Sequence, residues 1–189
     1  LHGSVKYGSF SIAGNVKSLE MDGFKSSFSM KDIGNAKLAL SYSSLNANNG
    51  GEVKVTNAFK STINLNTISS LEGAFKYSPL SIKEITNNIE LTTFKGDVSI
   101  SEVGEAFSAV EIEGKYSNIN IQFHPKSGYN LIASSNYSSI NVPNVVSEFI
   151  VQNGSNSSLN HFIGNESTKA NGIASTVTVN LFQGNLNIK

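Results

Sequence analysis

The sequence contains no cysteine and no tryptophan, and its fourteen basic side chains are all lysine. Without cysteine there can be no disulfide and no thiolate chemistry, although the compartment stays open on that ground alone. Fourteen acidic residues balance the lysines to a formal charge of zero. Nucleic-acid recognition normally draws on a basic face and on the forked donors of arginine, so nucleic acid is not an expected partner. No apolar run approaches the roughly 20 residues needed to cross a bilayer as a helix, and no transmembrane segment is expected in this chain. The chain opens on Leu1 rather than methionine, so a leader or a longer N-terminal part is expected to precede it.

Serine (30) and asparagine (24) are abundant, and hydrophobic residues make up only 39%. Such polarity would suit a disordered chain, but the apolar residues are strictly spaced and rich in Ile, Val, Leu and Phe. They recur in one phrase: an aromatic residue, Lys or Ser, one or two small residues, then apolar–Ser/Asn–apolar. It appears as Tyr7–Ile12, Phe24–Met30, Tyr42–Ala47, Phe59–Leu65, Tyr77–Ile82, Phe94–Ile100, Tyr116–Ile121, Tyr137–Val142 and Phe182–Ile188. The first apolar residue of the phrase falls at 10, 28, 45, 63, 80, 98, 119 and 140, in steps of 17 to 21 residues. A fixed period of this length means one structural unit stacked many times.

Alternation within each phrase has period two, the mark of a strand with one buried face. A second alternating piece precedes most phrases, as in Leu38–Leu40, Val53–Val55, Ile89–Leu91 and Val110–Ile112. Two architectures fit: a parallel β-solenoid and an antiparallel sandwich of hairpins. The solenoid is favoured, because hairpins give no reason to keep an aromatic at one position, whereas stacked coils pack like on like at about 4.8 Å. The expected fold is therefore all-β, a single-stranded parallel β-solenoid (β-helix) with coils of about 17–21 residues. Phe24, Phe59 and Phe94 lie 35 residues apart, as do Tyr7, Tyr42 and Tyr77, so one coil holds either one phrase or two.

Residues 1–142 read as the regular repeats. Residues 143–189 read as an irregular coil, a loop and the terminal rung of the same domain. Pro143 opens that region, and Gln152–Ser158 has loop composition. Ser157–Phe162 looks like a degraded phrase, and Ser175–Val179 with Phe182–Ile188 restores strand character.

Catalytic and metal sites find little support. Only three aspartates exist, Asp22, Asp32 and Asp97, and they occupy different positions of different repeats. Glu20, Glu72, Glu90, Glu111 and Glu113 alternate with apolar residues and should face water. His2, His124 and His161 are the only histidines and stand far apart in the sequence, whereas a zinc site wants three or four ligands, often closely spaced, so each reads as structural. No Gly-x-Ser-x-Gly elbow occurs. No catalytic residue, metal ligand or cofactor is expected.

The residue between the two apolar positions of the phrase is always small and polar. Stacking would place Asn46, Asn64, Asn120 and Asn141, with serines between them, in one neutral hydrogen-bonding strip on the outside. This is the candidate binding strip. Sugar sites usually add a stacking aromatic, and Phe and Tyr read here as interior residues. Tyr7, Tyr42, Tyr77, Tyr116 and Tyr137 read as a corner ladder with rings buried and hydroxyls wet; exposed, they would instead form a binding ridge.

The stretches Phe94–Ile100 through Tyr116–Ile121, His124-Pro-Lys-Ser-Gly-Tyr through Ile140, and Gly172 through Ile188 resemble the bacterial adhesin-domain family, head-GIN-like domains of unknown function. The resemblance implies a β-solenoid outside the cytoplasm, at the cell surface, in the periplasm or secreted, and carries no catalytic residues. Ser26, Ser43, Ser61 and Ser78 stand where that family favours a turn glycine, so these turns should use a different backbone conformation.

The expected function is thus a non-catalytic extracytoplasmic bacterial β-solenoid, an adhesin or a structural and binding module of the cell envelope. Its partner would be a glycan or an envelope protein, with end-to-end or lateral self-association as a further option. The alternative is a polysaccharide-active β-helix enzyme, which requires a groove with converging carboxylates. A third is an envelope assembly protein whose partner docks on an open end coil.

Overall fold

The computed structural model describes residues 1–142, 151–164 and 175–189; Pro143 lies outside them. The described residues form a parallel β-solenoid with no helix. Each regular coil is one long strand that bends at its middle: β2 (Ser9–Phe24), β3 (Ser27–Ser41), β4 (Ser44–Phe59), β5 (Thr62–Lys76) and β6 (Leu80–Phe94), preceded by β1 (His2–Lys6). Register shifts interrupt the pairing of consecutive coils, between Ile12 and Asn15, between Leu38 and Ala39 and between Val55 and Ala58. Two or three residues then turn the chain into the next coil.

Register answers how many phrases a coil holds. Phe10 pairs with Phe28, Phe28 with Leu45, Leu45 with Ile63, Ile63 with Leu80, Leu80 with Val98, and Val98 with Ile119. Each coil therefore carries one phrase. The inward positions form columns in a single core: Leu38, Val55, Leu91 and Ile112 on one arm, and Leu45, Ile63, Leu80 and Val98 on the other, all buried. Burying each such side chain contributes about 1.5–3 kcal/mol, repeated coil after coil. This is why a composition so rich in Ser and Asn still folds.

Beyond β6 the strands shorten to β7 (Val98–Val103), β8 (Ala109–Lys115), β9 (Ile119–Phe123), β10 (Tyr129–Asn136) and β11 (Ile140–Asn141). The C-terminal part supplies β12 (Val151–Asn153), β13 (Asn156–Ile163), β14 (Ser175–Phe182) and β15 (Leu186–Ile188). Two expectations fail here. The last segment is not the terminal rung, because β14 lies between β8 and β10, and β15 between β9 and β11, all parallel. The chain climbs two rungs between β9 and β10, and the C-terminal segment fills the slot. It fits because Val177, Val179, Leu181, Leu186 and Ile188 repeat the inward alternation of the strands on either side. The degraded phrase at 157–162 is not a coil either. It belongs to β13, which runs antiparallel to β10 and carries β12 on its outer edge.

Candidate binding surface along the turn corner

The turn that ends each coil determines what the molecule shows to solvent. Among the described residues, nine that are not glycine adopt positive φ, between 48° and 58°: Tyr7, Lys25, Tyr42, Lys60, Tyr77, Lys95, Tyr116, Tyr137 and Gln183. Left-handed backbone is costly for residues with a side chain, about 1–2 kcal/mol each. The conformation sits on the residue before the serine, not on the serine that replaces the expected glycine.

Those serines hold the turn in place. The Ser26 N–H donates to Ser43 Oγ at 3.1 Å, Ser43 N–H to Ser61 Oγ at 3.1 Å, and Ser61 N–H to Ser78 Oγ at 2.9 Å. Each hydroxyl in turn donates to the carbonyl two residues before it, as Ser43 Oγ to Ser41 O at 2.9 Å and Ser61 Oγ to Phe59 O at 3.0 Å. Ser26, Ser43, Ser61 and Ser78 are buried, so this spine satisfies amides that water cannot reach. Gly184 takes the serine's place in a later turn, where a Cβ would meet Ser117 O at 1.9 Å, and Gly96 does so where a Cβ would meet Ser78 O at 2.4 Å.

With the serine turned inward, the two residues before it stand outward at the corner. Register sets them in two adjacent columns. One runs Lys6, Phe24, Ser41, Phe59, Lys76, Phe94, Lys115, Phe182, Asn136; the next runs Tyr7, Lys25, Tyr42, Lys60, Tyr77, Lys95, Tyr116, Gln183, Tyr137. Phe and Tyr therefore do not share a position. Tyrosine lies three residues before the first apolar residue of its phrase and phenylalanine four, so the rings zigzag between the columns.

The result is one continuous file of nine rings, Tyr7–Phe24–Tyr42–Phe59–Tyr77–Phe94–Tyr116–Phe182–Tyr137. Neighbours meet edge to face, with centroids 5.4–6.0 Å apart and planes at 76–87°. This is the arrangement favoured by the ring quadrupole. Like does not stack on like, as the sequence reading supposed, and the rings are not interior. Tyr7, Tyr42, Tyr77, Tyr116 and Tyr137 are between 39% and 71% exposed, and Phe24, Phe59, Phe94 and Phe182 are half-buried.

Lysine ammonium groups lie over this file. Lys25 Nζ sits 5.5 Å from the ring centroids of both Tyr7 and Phe24. Lys60 Nζ lies 5.4 Å from Tyr42 and 5.5 Å from Phe59. Lys95 Nζ lies 5.6–5.7 Å from Tyr77, Phe94 and Tyr116. The flexible lysine side chain is thereby held along the ridge, with its ammonium against the rings.

The four asparagines of the candidate strip stand in one register column on the outer face of the first arm. Asn64 Nδ2 donates to Asn46 Oδ1 at 2.9 Å. Ser81 and Ser99 separate this pair from Asn120, which accepts from Asn187 Nδ2 at 3.1 Å. Asn141 pairs in register with Asn187 rather than with Asn120, because β15 intervenes. The amides are largely turned upon one another.

Past the bend of each coil runs a shallow groove with an ionic ladder. His2, Glu20, Lys37, Lys54, Glu72, Glu90 and Glu111 follow in register. Lys37 bonds Glu20 at 2.8 Å and Lys54 bonds Glu72 at 2.5 Å. The Lys37 ammonium holds the Glu20 carboxyl below its ordinary range, and is itself raised by it. Glu20, Glu72, Glu90, Glu111 and Glu113 all face solvent, as alternation requires.

Three histidines stay apart from any cluster of acidic or metal-binding groups among the described residues. His2 lies 3.4 Å from Glu20 at one end. His124 and His161 border one recess at the other end, where His124 Nδ1 accepts from the Lys126 N–H at 3.3 Å. Burial beside Phe123, whose ring stacks at 4.2 Å, pushes the Tyr129 hydroxyl well above the ordinary tyrosine range.

The alternation of the phrases alone does not reveal that lysines share the corner with the rings. The signal was the one-residue offset between Phe and Tyr phrases, which decides whether a lysine or a ring occupies each outward site. No family model, curated protein or solved structure matches this chain.

Proposed function

We propose that the chain is a non-catalytic, extracytoplasmic binding module of the bacterial envelope, adhesin-like in role, whose working surface is the corner ridge. One observation carries this reading: nine rings are kept in an unbroken file on the outside of a fold whose core does not need them there. Contiguous exposed apolar surface of this kind marks an interaction site. Tyrosine supplies contact area at small entropic cost together with a hydroxyl. A long ridge of modest contacts suits an extended ligand bound through many weak points. The Asn46–Asn64 strip is the weaker candidate, since its amides already bond each other.

Binding of the whole chain to a glycan and envelope-protein array tests this. The Tyr42→Ser/Tyr77→Ser double variant should lose at least tenfold in affinity while keeping its strand-rich circular dichroism. Undiminished binding by the folded double variant would overturn the reading.

The ionic groove supports a second reading, a polysaccharide-active enzyme. Glu72, Glu90 and Glu111 stand on successive coils at about 4.8 Å, close enough for two carboxylates to act on one bond. Product analysis after incubation with a glycan panel separates the two readings. Turnover abolished by Glu90→Gln would establish the enzyme.

A further inference from the structure

The chain is neutral, and the groove mixes both signs, but the corner carries one sign alone. The two corner columns hold eighteen residues, of which six are lysine (Lys6, Lys25, Lys60, Lys76, Lys95 and Lys115) and none acidic. None of the six makes an ion pair among the described residues, whereas Lys37 and Lys54 of the groove do. Leaving six cations side by side costs mutual repulsion. The arrangement is relieved by an anion that spans them.

Spacing narrows the anion. Lys25, Lys60 and Lys95 occupy every second coil of one column, so their stems are about 9.6 Å apart. Tyr7, Tyr42 and Tyr77 fill the alternate coils with the same period. That length is close to one disaccharide of an extended pyranose chain. A single-stranded nucleic acid fits less well. Centroids 5.4–6.0 Å apart and edge-to-face leave no slot into which a base could stack, and arginine is absent. A polysaccharide needs no slot, since it can lie across the ridge, with C–H faces on ring surfaces and hydroxyls on tyrosine oxygens.

Resting on the corner ridge as the binding surface, we infer that the ligand is a linear acidic polysaccharide laid along the solenoid axis, presenting one carboxylate or sulfate per disaccharide to successive lysines. The rings would supply shape and the lysines charge, so affinity rises with chain length until the ridge is covered.

The test uses the full chain with three polymers: polygalacturonate for carboxylate, chondroitin sulfate for carboxylate and sulfate together, and methyl-esterified polygalacturonate as the uncharged form of the first. At least one acidic polymer should bind ten times or more tightly than the ester, and should weaken steeply as salt rises through the physiological range. The Lys25→Gln/Lys60→Gln/Lys95→Gln variant should lose at least tenfold for that polymer with its melting temperature little changed. Equal binding of polygalacturonate and its ester, unaffected by the triple variant, would overturn the acidic-ligand inference while leaving the ridge as a neutral binding surface. Failure of both acidic polymers to bind would likewise overturn it. Single-stranded DNA or phosphatidylserine vesicles binding more tightly than either polymer would also do so. Loss of the ridge itself is read separately, from the tyrosine double variant.

Discussion

Tyr42 and Phe59 meet edge to face at 5.4 Å although they occupy different positions of their coils. Tyr42 has left-handed φ, and Phe59 lies one residue before the left-handed Lys60. The contact exists because consecutive coils place their ring on alternate columns. A double-mutant cycle with Tyr42→Leu and Phe59→Leu should give a coupling energy of about 0.5–1.5 kcal/mol in denaturant unfolding. Strict additivity would mean that the file of rings contributes area and no specific geometry.

The serine spine makes a sharper prediction. Ser43→Ala removes the acceptor of the buried Ser26 N–H, and should cost about 1–3 kcal/mol. Its neighbour Ser44 is half-exposed and its hydroxyl bonds Ser27 Oγ at 3.1 Å, while its N–H bond to Ser26 O survives the change, so Ser44→Ala should change stability by less than about 0.5 kcal/mol. Urea midpoints of the two variants check this, and equal effects would refute the spine.

Left-handed backbone at the corner can be tested by side-chain shape alone. Lys60→Gly relieves the φ of 48° but adds unfolded-state freedom, so it should stay within about 1 kcal/mol of the parent. A β-branched Lys60→Ile cannot accommodate that φ well, and should be less stable than the glycine variant by about 1–2 kcal/mol. Thermal melts of the pair decide it. A stable isoleucine variant would show that the turn has another conformation open to it.

Insertion of β14 and β15 between two rungs gives a topological prediction. Removing residues 175–189 would bare the facing edges of β8 and β10, and of β9 and β11. Unpaired parallel edges recruit other strands, so the shortened chain should aggregate or dimerise. A synthetic peptide of residues 175–189, added during refolding, should restore the monomer. Size-exclusion chromatography reads both outcomes, and an unaltered monomer without the peptide would refute the account.

Much of the fold was legible because coils repeat. The first apolar positions at 10, 28, 45, 63, 80, 98 and 119 all proved to be in-register neighbours, since a half-buried strand tolerates no slip of one residue. The outward strip of Asn46, Asn64 and Asn120 followed from the same alternation. The corner was less legible. A phrase that begins with "aromatic" hides whether the ring stands three or four residues before the core position, and that one residue moves it to another column.

Composition and period by themselves determined that this chain is a stack of β-coils with an apolar interior and one neutral, small-residue strip on its outside. Those features depend on local alternation, which is written residue by residue. Tertiary structure alone decided that the rings lie outside, that six lysines gather with no carboxylate among them, and that the last segment enters between earlier rungs. Each of these depends on which distant residues become neighbours across the hydrogen-bonding direction. That choice is made by closure of the turn and by the edge left open, neither of which any single repeat encodes.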